Sequence, residues 1–360
     1  MSLILSEIVS FFFLIFLGVL LQKKFDKPSR KNGLKDYILN IALPTTVFVS
    51  LLSINVQKEY WLYPLVGIIF DVAILICSPF LIKISGLSSS RKKNTLFLLL
   101  PSFAPGLSCF PIINEFLGNE ALAKASILDF GNKLFVLLFL FLVAFQLHKN
   151  KIQPYGKISK KPLKTIFKNV IREPINIALF LAFSLIFLEY NYENLPNLLI
   201  SLTDKIKNTL TPIVLIFIGL SLVINKKSIA EIIPILFLRA GLSLFLVNSI
   251  LLVFGRHSTN DSILYFILAL SSASFWPISH MTFINALEKN LGQKNNTFDI
   301  KFALKFLAYS LPFSTITILI LMTKDEFLRN TNYLFLISLL FILFGVSIKK
   351  YFFILNNKEI

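Results

Sequence analysis

Leu98-Leu99-Leu100-Pro101-Ser102-Phe103-Ala104-Pro105-Gly106-Leu107-Ser108-Cys109-Phe110-Pro111 interrupts an apolar run with three prolines and a glycine in eleven residues. Proline deletes a backbone donor and clashes with the preceding turn, so no regular helix can pass through this stretch. The expectation is unwinding near Ala104 to Ser108 and a restart toward Gly118. A second apolar run, in the corresponding place of the other half of the chain, carries Ser271-Ser272-Ala273-Ser274-Phe275-Trp276-Pro277-Ile278-Ser279-His280. If both breaks meet at mid-membrane, the restarted half-helices aim their positive N-terminal ends at one point, which suits an anion. The first half-helices leave carbonyls that suit Na⁺ or a protonated group. The candidate substrate site is therefore Ala104, Pro105, Gly106, Ser108, Trp276, Pro277, Ser279 and His280.

The surroundings decide the fold class. At 55% hydrophobic, 15% charged and a mean hydropathy of +0.74, the 360-residue chain is too apolar for a soluble protein, since soluble domains carry about 25% charge. A bilayer core of about 30 Å needs roughly 20 helical residues. On that ruler eleven runs qualify: 3–22, 36–56, 61–83, 95–118, 122–147, 172–190, 199–224, 230–254, 262–288, 301–322 and 332–348. They lack the period-2 alternation of barrel strands, so the fold class is an all-α polytopic membrane bundle. The first run lacks a basic segment before it and a small-residue cleavage site after it, and reads as a span rather than a signal peptide.

Net charge is +17, but the cations sit in loops between apolar runs, which argues against nucleic acid as a partner. Lys23, Lys24, Arg30, Lys31, Lys35, Arg91, Lys92, Lys93, the Lys-rich loop after Lys149, and Lys349 and Lys350 fall on one side. The other side holds only Lys58, Arg256, Lys324 and Arg329. The positive-inside rule puts the first set in the cytoplasm, the N-terminus outside and the C-terminus inside. The basic loop 148–171 divides a first five-helix repeat, 1–147, from a second, 172–322, with 323–360 as an extra helix and tail. An odd number of helices per half inverts the second half relative to the first, the design of secondary transporters.

A charge at mid-bilayer costs at least about 2.5 kcal/mol. Asp71, Asp129, Lys133 and Arg239 fall near that depth at 1.5 Å per residue, and with Asn132 they are the ion-coupling candidates, for a proton or sodium. Asp129 and Lys133 are spaced to pair on one helix face, as a structural bridge or a cavity-facing patch. Asp71 and Arg239 either pair across the bundle or line a pathway. His280 is either a titrating group or a hydrogen-bonded structural one. His148 and His257 read as solvated loop residues. Trp61 reads as an interfacial anchor, and Trp276 as a cavity-lining neighbour of the break. Cys77 and Cys109 lie inside apolar runs, so no disulfide or metal site follows, and no cofactor is expected. The absence of Gly-x-Ser-x-Gly and His-Glu-x-x-His motifs argues against an enzyme, and no Gly-x-x-x-x-Gly-Lys-[Ser/Thr] loop supplies ATP coupling.

Several segments resemble the auxin efflux carrier family of permeases, within the bile/arsenite/riboflavin transporter-like superfamily. They are Leu34 to Pro44 with Phe48; Phe110-Pro111 through Gly118, Ala121 and Asp129-Phe130-Gly131-Asn132; Arg172-Glu173-Pro174; Thr211-Pro212 with Gly219-Leu220-Ser221-Leu222; and Ser310-Leu311-Pro312. The resemblance implies two inverted five-helix repeats with crossed broken helices 4 and 9, and a permease for small organic anions such as auxin, malate or malonate. The short central loop is similar to that of bacterial members, which implies the inner membrane and admits a homodimer. Two features depart from the family pattern. Bacterial members often carry Asn-Thr-Gly where this chain has Ala104, Pro105 and Gly106, and the run 332–348 adds an eleventh span. A sodium-coupled anion symporter of the bile acid type, sharing the crossed design, and a transport-deficient sensor or scaffold stand as alternatives.

Overall fold

The apolar runs become helices whose exposed faces are themselves apolar. Phe13, Ile76, Phe80 and Phe187 are 65%, 72%, 64% and 89% exposed, a surface that only lipid would cover at low cost. A computed structural model describes residues 3–54, 60, 62–149, 172–222, 225–254, 259–290, 293, 296–323 and 331–358. Lys58, Trp61, Arg256, His257, Lys324, Arg329 and the basic loop from 150 to 171 lie outside the described residues.

The elements in chain order are α1 (Leu3–Leu21), α2 (Pro28–Tyr37), α3 (Leu43–Leu52), α4 (Tyr63–Ser85), α5 (Ser90–Leu99), α6 (Pro105–Ser108), α7 (Phe110–Phe116), α8 (Gly118–Leu134) and α9 (Leu140–Lys149). The second half continues with α10 (Pro174–Phe187), α11 (Asn197–Lys207), α12 (Leu210–Ser221), α13 (Lys226–Phe254), α14 (Thr259–Ala269), α15 (Trp276–Asn290), α16 (Ile300–Met322) and α17 (Thr331–Lys358). Five described helices are long and apolar enough to cross a membrane, among them Gly118–Lys149 and Asn332–Lys350. Two π turns, Ile38–Ala42 and Phe135–Phe139, join α2 to α3 and α8 to α9. The first has a local cause. Pro44 has no N–H to give the carbonyl four residues back, and Leu43 N–H instead reaches Ile38 O, widening the helix by one residue.

The run expected at 199–224 is two helices. Its first part, α11, has no buried residue and exposes Leu198, Leu199 and Leu202, the amphipathic form that lies in a bilayer interface. The second part, α12, starts at Leu210, with Pro212 in its first turn.

Helix pairs close on glycine. On α1 and α12, Gly18 and Gly219 face each other so closely that a Cβ on Gly18 would come within 2.9 Å of Gly219 Cα. Gly67 on α4 and Gly131 on α8 meet the backbone of Leu128 and Pro64. Gly241 and Gly345 bring α13 and α17 together. Apolar burial gives helices no net attraction in lipid, so small residues that admit backbone contact are what hold such pairs. The packing has a second regularity: α1 lies on α12 and α10 on α3, α4 on α8 and α13 on α16, α5 on α16 and α14 on α8.

Candidate functional site

Both interrupted runs are broken, and the breaks touch. The first lies at 100–104 between α5 and α6, and the second at 270–275 between α14 and α15. Each is one turn earlier than the sequence suggests. Pro105 and Pro277 open α6 and α15 rather than ending the helices before them, because proline is at home in a first turn, where its missing N–H would have no partner anyway. Trp276, Pro277, Ser279 and His280 are therefore helical.

Ala104 N–H donates to Ser272 O at 2.8 Å, and Ser274 N–H to Ser102 O at 3.3 Å, forming an isolated antiparallel bridge between Phe103 and Ala273. Serines finish the joint. Ser272 N–H donates to Ser108 Oγ at 3.0 Å, Ser272 Oγ donates to Ala104 O at 3.3 Å, and Ala273 N–H donates to Ser310 Oγ at 2.7 Å. Backbone that unwinds away from water must find such partners.

Arg239, from the middle of α13, caps three carbonyls of the two breaks, one of which, Ser102 O, also accepts from Ser274 N–H. Its Nε donates to Leu100 O, Nη1 to Ser271 O and Nη2 to Ser102 O, each at 2.9 Å. Its guanidinium stacks on the Phe103 ring, 4.0 Å from the centroid. Of the two roles the sequence left open for Asp71, pairing with Arg239 or lining a pathway, it takes the second: it makes no ion pair with Arg239 and lines a cavity beside the joint. Asp71 is 1% exposed, its Oδ2 has no hydrogen-bond partner, and it lies within electrostatic range of Arg239 and Asp129.

α8 supplies the other side of the joint. Asn132 Nδ2 donates to Phe103 O at 2.9 Å and to Asp129 Oδ1 at 2.7 Å. Lys133 Nζ lies 3.2 Å from Asp129 Oδ2 and 3.4 Å from Glu173 Oε1. The expected i,i+4 pair is thus present, and it is extended by an acid from the other half of the chain.

Two cavities flank the joint. The larger, about 840 Å³, reaches it from the end where α2 and α10 begin, and carries Lys31, Lys35, Lys133 and Arg172 against Asp129 and Glu173. It is also lined by Ala104, Gly106 and Trp276, and by Asn40, which the π turn of α2 exposes. The smaller, about 480 Å³, lies toward the opposite end, where α4 and α14 begin, and is apolar except for Asp71, Asp129, Asn132, Tyr265 and Ser271. Phe103 and Asp129 line both. Beyond the smaller cavity, Lys124 ties α8 to α14 through Asp261 at 2.8 Å and also holds Glu120 at 2.9 Å.

Compared with protein-family models and with curated proteins, the chain matches none.

Of the candidate residues, Pro105 lines the smaller cavity, and Ser108 is buried inside the joint. Ser279 is exposed, and it lines neither cavity. His280 is also away from both: its Nε2 lies 3.0 Å from the Val136 carbonyl, so it carries the proton, and its ring meets Phe141 edge-on at 5.4 Å. His148 is not solvated. It is 7% exposed and sits 2.8 Å from Glu288 Oε1. Lys31, Lys35, Asn40, Phe103, Arg172 and Glu173 were not among the expected site residues. Arg172-Glu173-Pro174 carried a local signal, an acid just before a helix-opening proline, but nothing local says that its helix abuts α8.

Proposed function

We propose that this protein is a secondary carrier for a small organic anion, working by alternating access around the two joined breaks. The observation that carries the proposal is the larger cavity: four cations face two acids in a volume of about 840 Å³, within the roughly 300–1,000 Å³ of small-molecule sites. Its floor is the joint, beside the N-terminal end of α15, whose dipole favours negative charge. A cation-rich cavity ending at broken helices is poor design for a scaffold and serviceable for an anion.

The paired packing of elements, α1 on α12 with α10 on α3 and the equivalents after them, is what two inverted five-helix repeats with crossed broken helices would give. By the positive-inside rule the larger cavity opens to the cytoplasm and the smaller one faces out. Phe103 and Asp129 then form the partition between them. α17, which packs on α13 outside this pairing, is an added span.

Counterflow of labelled dicarboxylates and indole acids into proteoliposomes tests the reading. Saturable, gradient-dependent uptake of at least one anion is expected, and its absence across the panel would reject the carrier. His280 serves as an internal control. His280→Ala leaves the buried Val136 carbonyl unpaired, which costs about 1–3 kcal/mol of stability. Uptake per folded molecule is expected to stay unchanged, and an uptake defect at undiminished melting temperature would move His280 into the pathway.

A further inference from the structure

A carrier with unwound helices at its centre usually needs a cation there. The C-terminal ends of the first half-helices converge with unpaired carbonyls and negative dipole ends, and a dissolved ion such as Na⁺ can hold them. In this chain the place is filled covalently. The guanidinium of Arg239 gives three of its donors to Leu100 O and Ser102 O of one break and Ser271 O of the other, all at 2.9 Å. The residue is 4% exposed and covered on one face by Phe103. It comes from α13, which belongs to neither broken helix, so it ties three separate elements at one point.

We propose that Arg239 is the resident cation of the joint, standing where a coupling ion would bind, and that the carrier therefore works without sodium. An arginine suits the place better than lysine. Its planar fork reaches three carbonyls at once and its charge is lost to no physiological pH. The consequence for transport rests on the carrier reading, whereas the filling of the cation place does not.

The test uses the full-length protein, purified and reconstituted, with two readouts: melting temperature, and counterflow uptake of whichever anion the panel identifies. For the unmodified protein, replacing Na⁺ with choline is expected to leave both unchanged; a fall in either overturns the proposal. In Arg239→Ala the melting temperature is expected to drop and uptake to fall at least about tenfold, the size of one lost charge-assisted hydrogen bond. Millimolar guanidinium or Na⁺, but not choline, is expected to restore part of both by entering the vacated cage, and no restoration by either ion overturns the proposal. Arg239→Lys keeps the charge and part of the bonding, and covers the case in which the alanine variant does not fold. It is expected to lie between the two, and to become sensitive to guanidinium or Na⁺. If no anion is taken up but the melting temperatures follow this pattern, the carrier reading fails and the resident cation stands.

Discussion

Lys133→Ala is expected to lower both melting temperature and anion uptake, and adding Glu173→Gln to it should recover much of the first and none of the second. Lys133 is 7% exposed and, among the described residues, is the cation placed between Asp129 and Glu173 at 3.2 and 3.4 Å. Removing one member of such a largely buried set leaves two like charges facing each other at the cavity wall, a loss of up to about 3–5 kcal/mol. Neutralising Glu173 relieves the repulsion, and Asp129 keeps its bond from Asn132. The cavity, however, still lacks one of its four cations, so uptake stays low. Thermal unfolding beside counterflow separates the two effects. A single variant that melts and transports like the parent would show that the set neither holds the bundle nor attracts the passenger.

Gly131→Ala is the second change with a large expected effect, although it adds only a methyl. At that position a Cβ would land on the backbone of Pro64, and across the same seam Gly67 would place one 2.6 Å from Leu128 O. Side chains can turn aside, but backbone cannot, so the seam between α4 and α8 has to open. Overpacking of this kind costs about 1–3 kcal/mol even in forgiving cores. Here it also displaces Asp129 and Asn132, which share the turn of α8 around it. Gly33→Ala is the matched control, since a Cβ there meets no atom within 4 Å. The yield of monodisperse protein and its melting temperature should fall for the first and hold for the second. Equal behaviour would mean that the two helices do not pack this closely.

Much of the fold was legible because it follows from rules that act within a turn or two. Apolar length marks the helices, and prolines mark both breaks. The i,i+4 spacing allowed Asp129 and Lys133 to pair, as a structural bridge or a cavity-facing patch, and they pair while lining the larger cavity. The same local rules erred where two of them competed. Pro105 and Pro277 looked like the centres of the breaks, yet proline also fits the first turn of a helix, where its missing N–H would have no partner anyway, and each opens its helix. Long-range partners were not legible. His148 finds Glu288 across 140 positions, and Arg239 finds Leu100 across 139.

The sequence by itself determined that this chain is a bundle of apolar helices, because in lipid the backbone must satisfy its own hydrogen bonds, and its clustered prolines and serines pointed to two interruptions. Tertiary structure decided which groups satisfy the interruptions and which charges share a cavity. Arg239 was as free to meet Asp71 as three carbonyl oxygens of two loops, and only the packing of α13 against both breaks put those carbonyls rather than the carboxylate within hydrogen-bond reach.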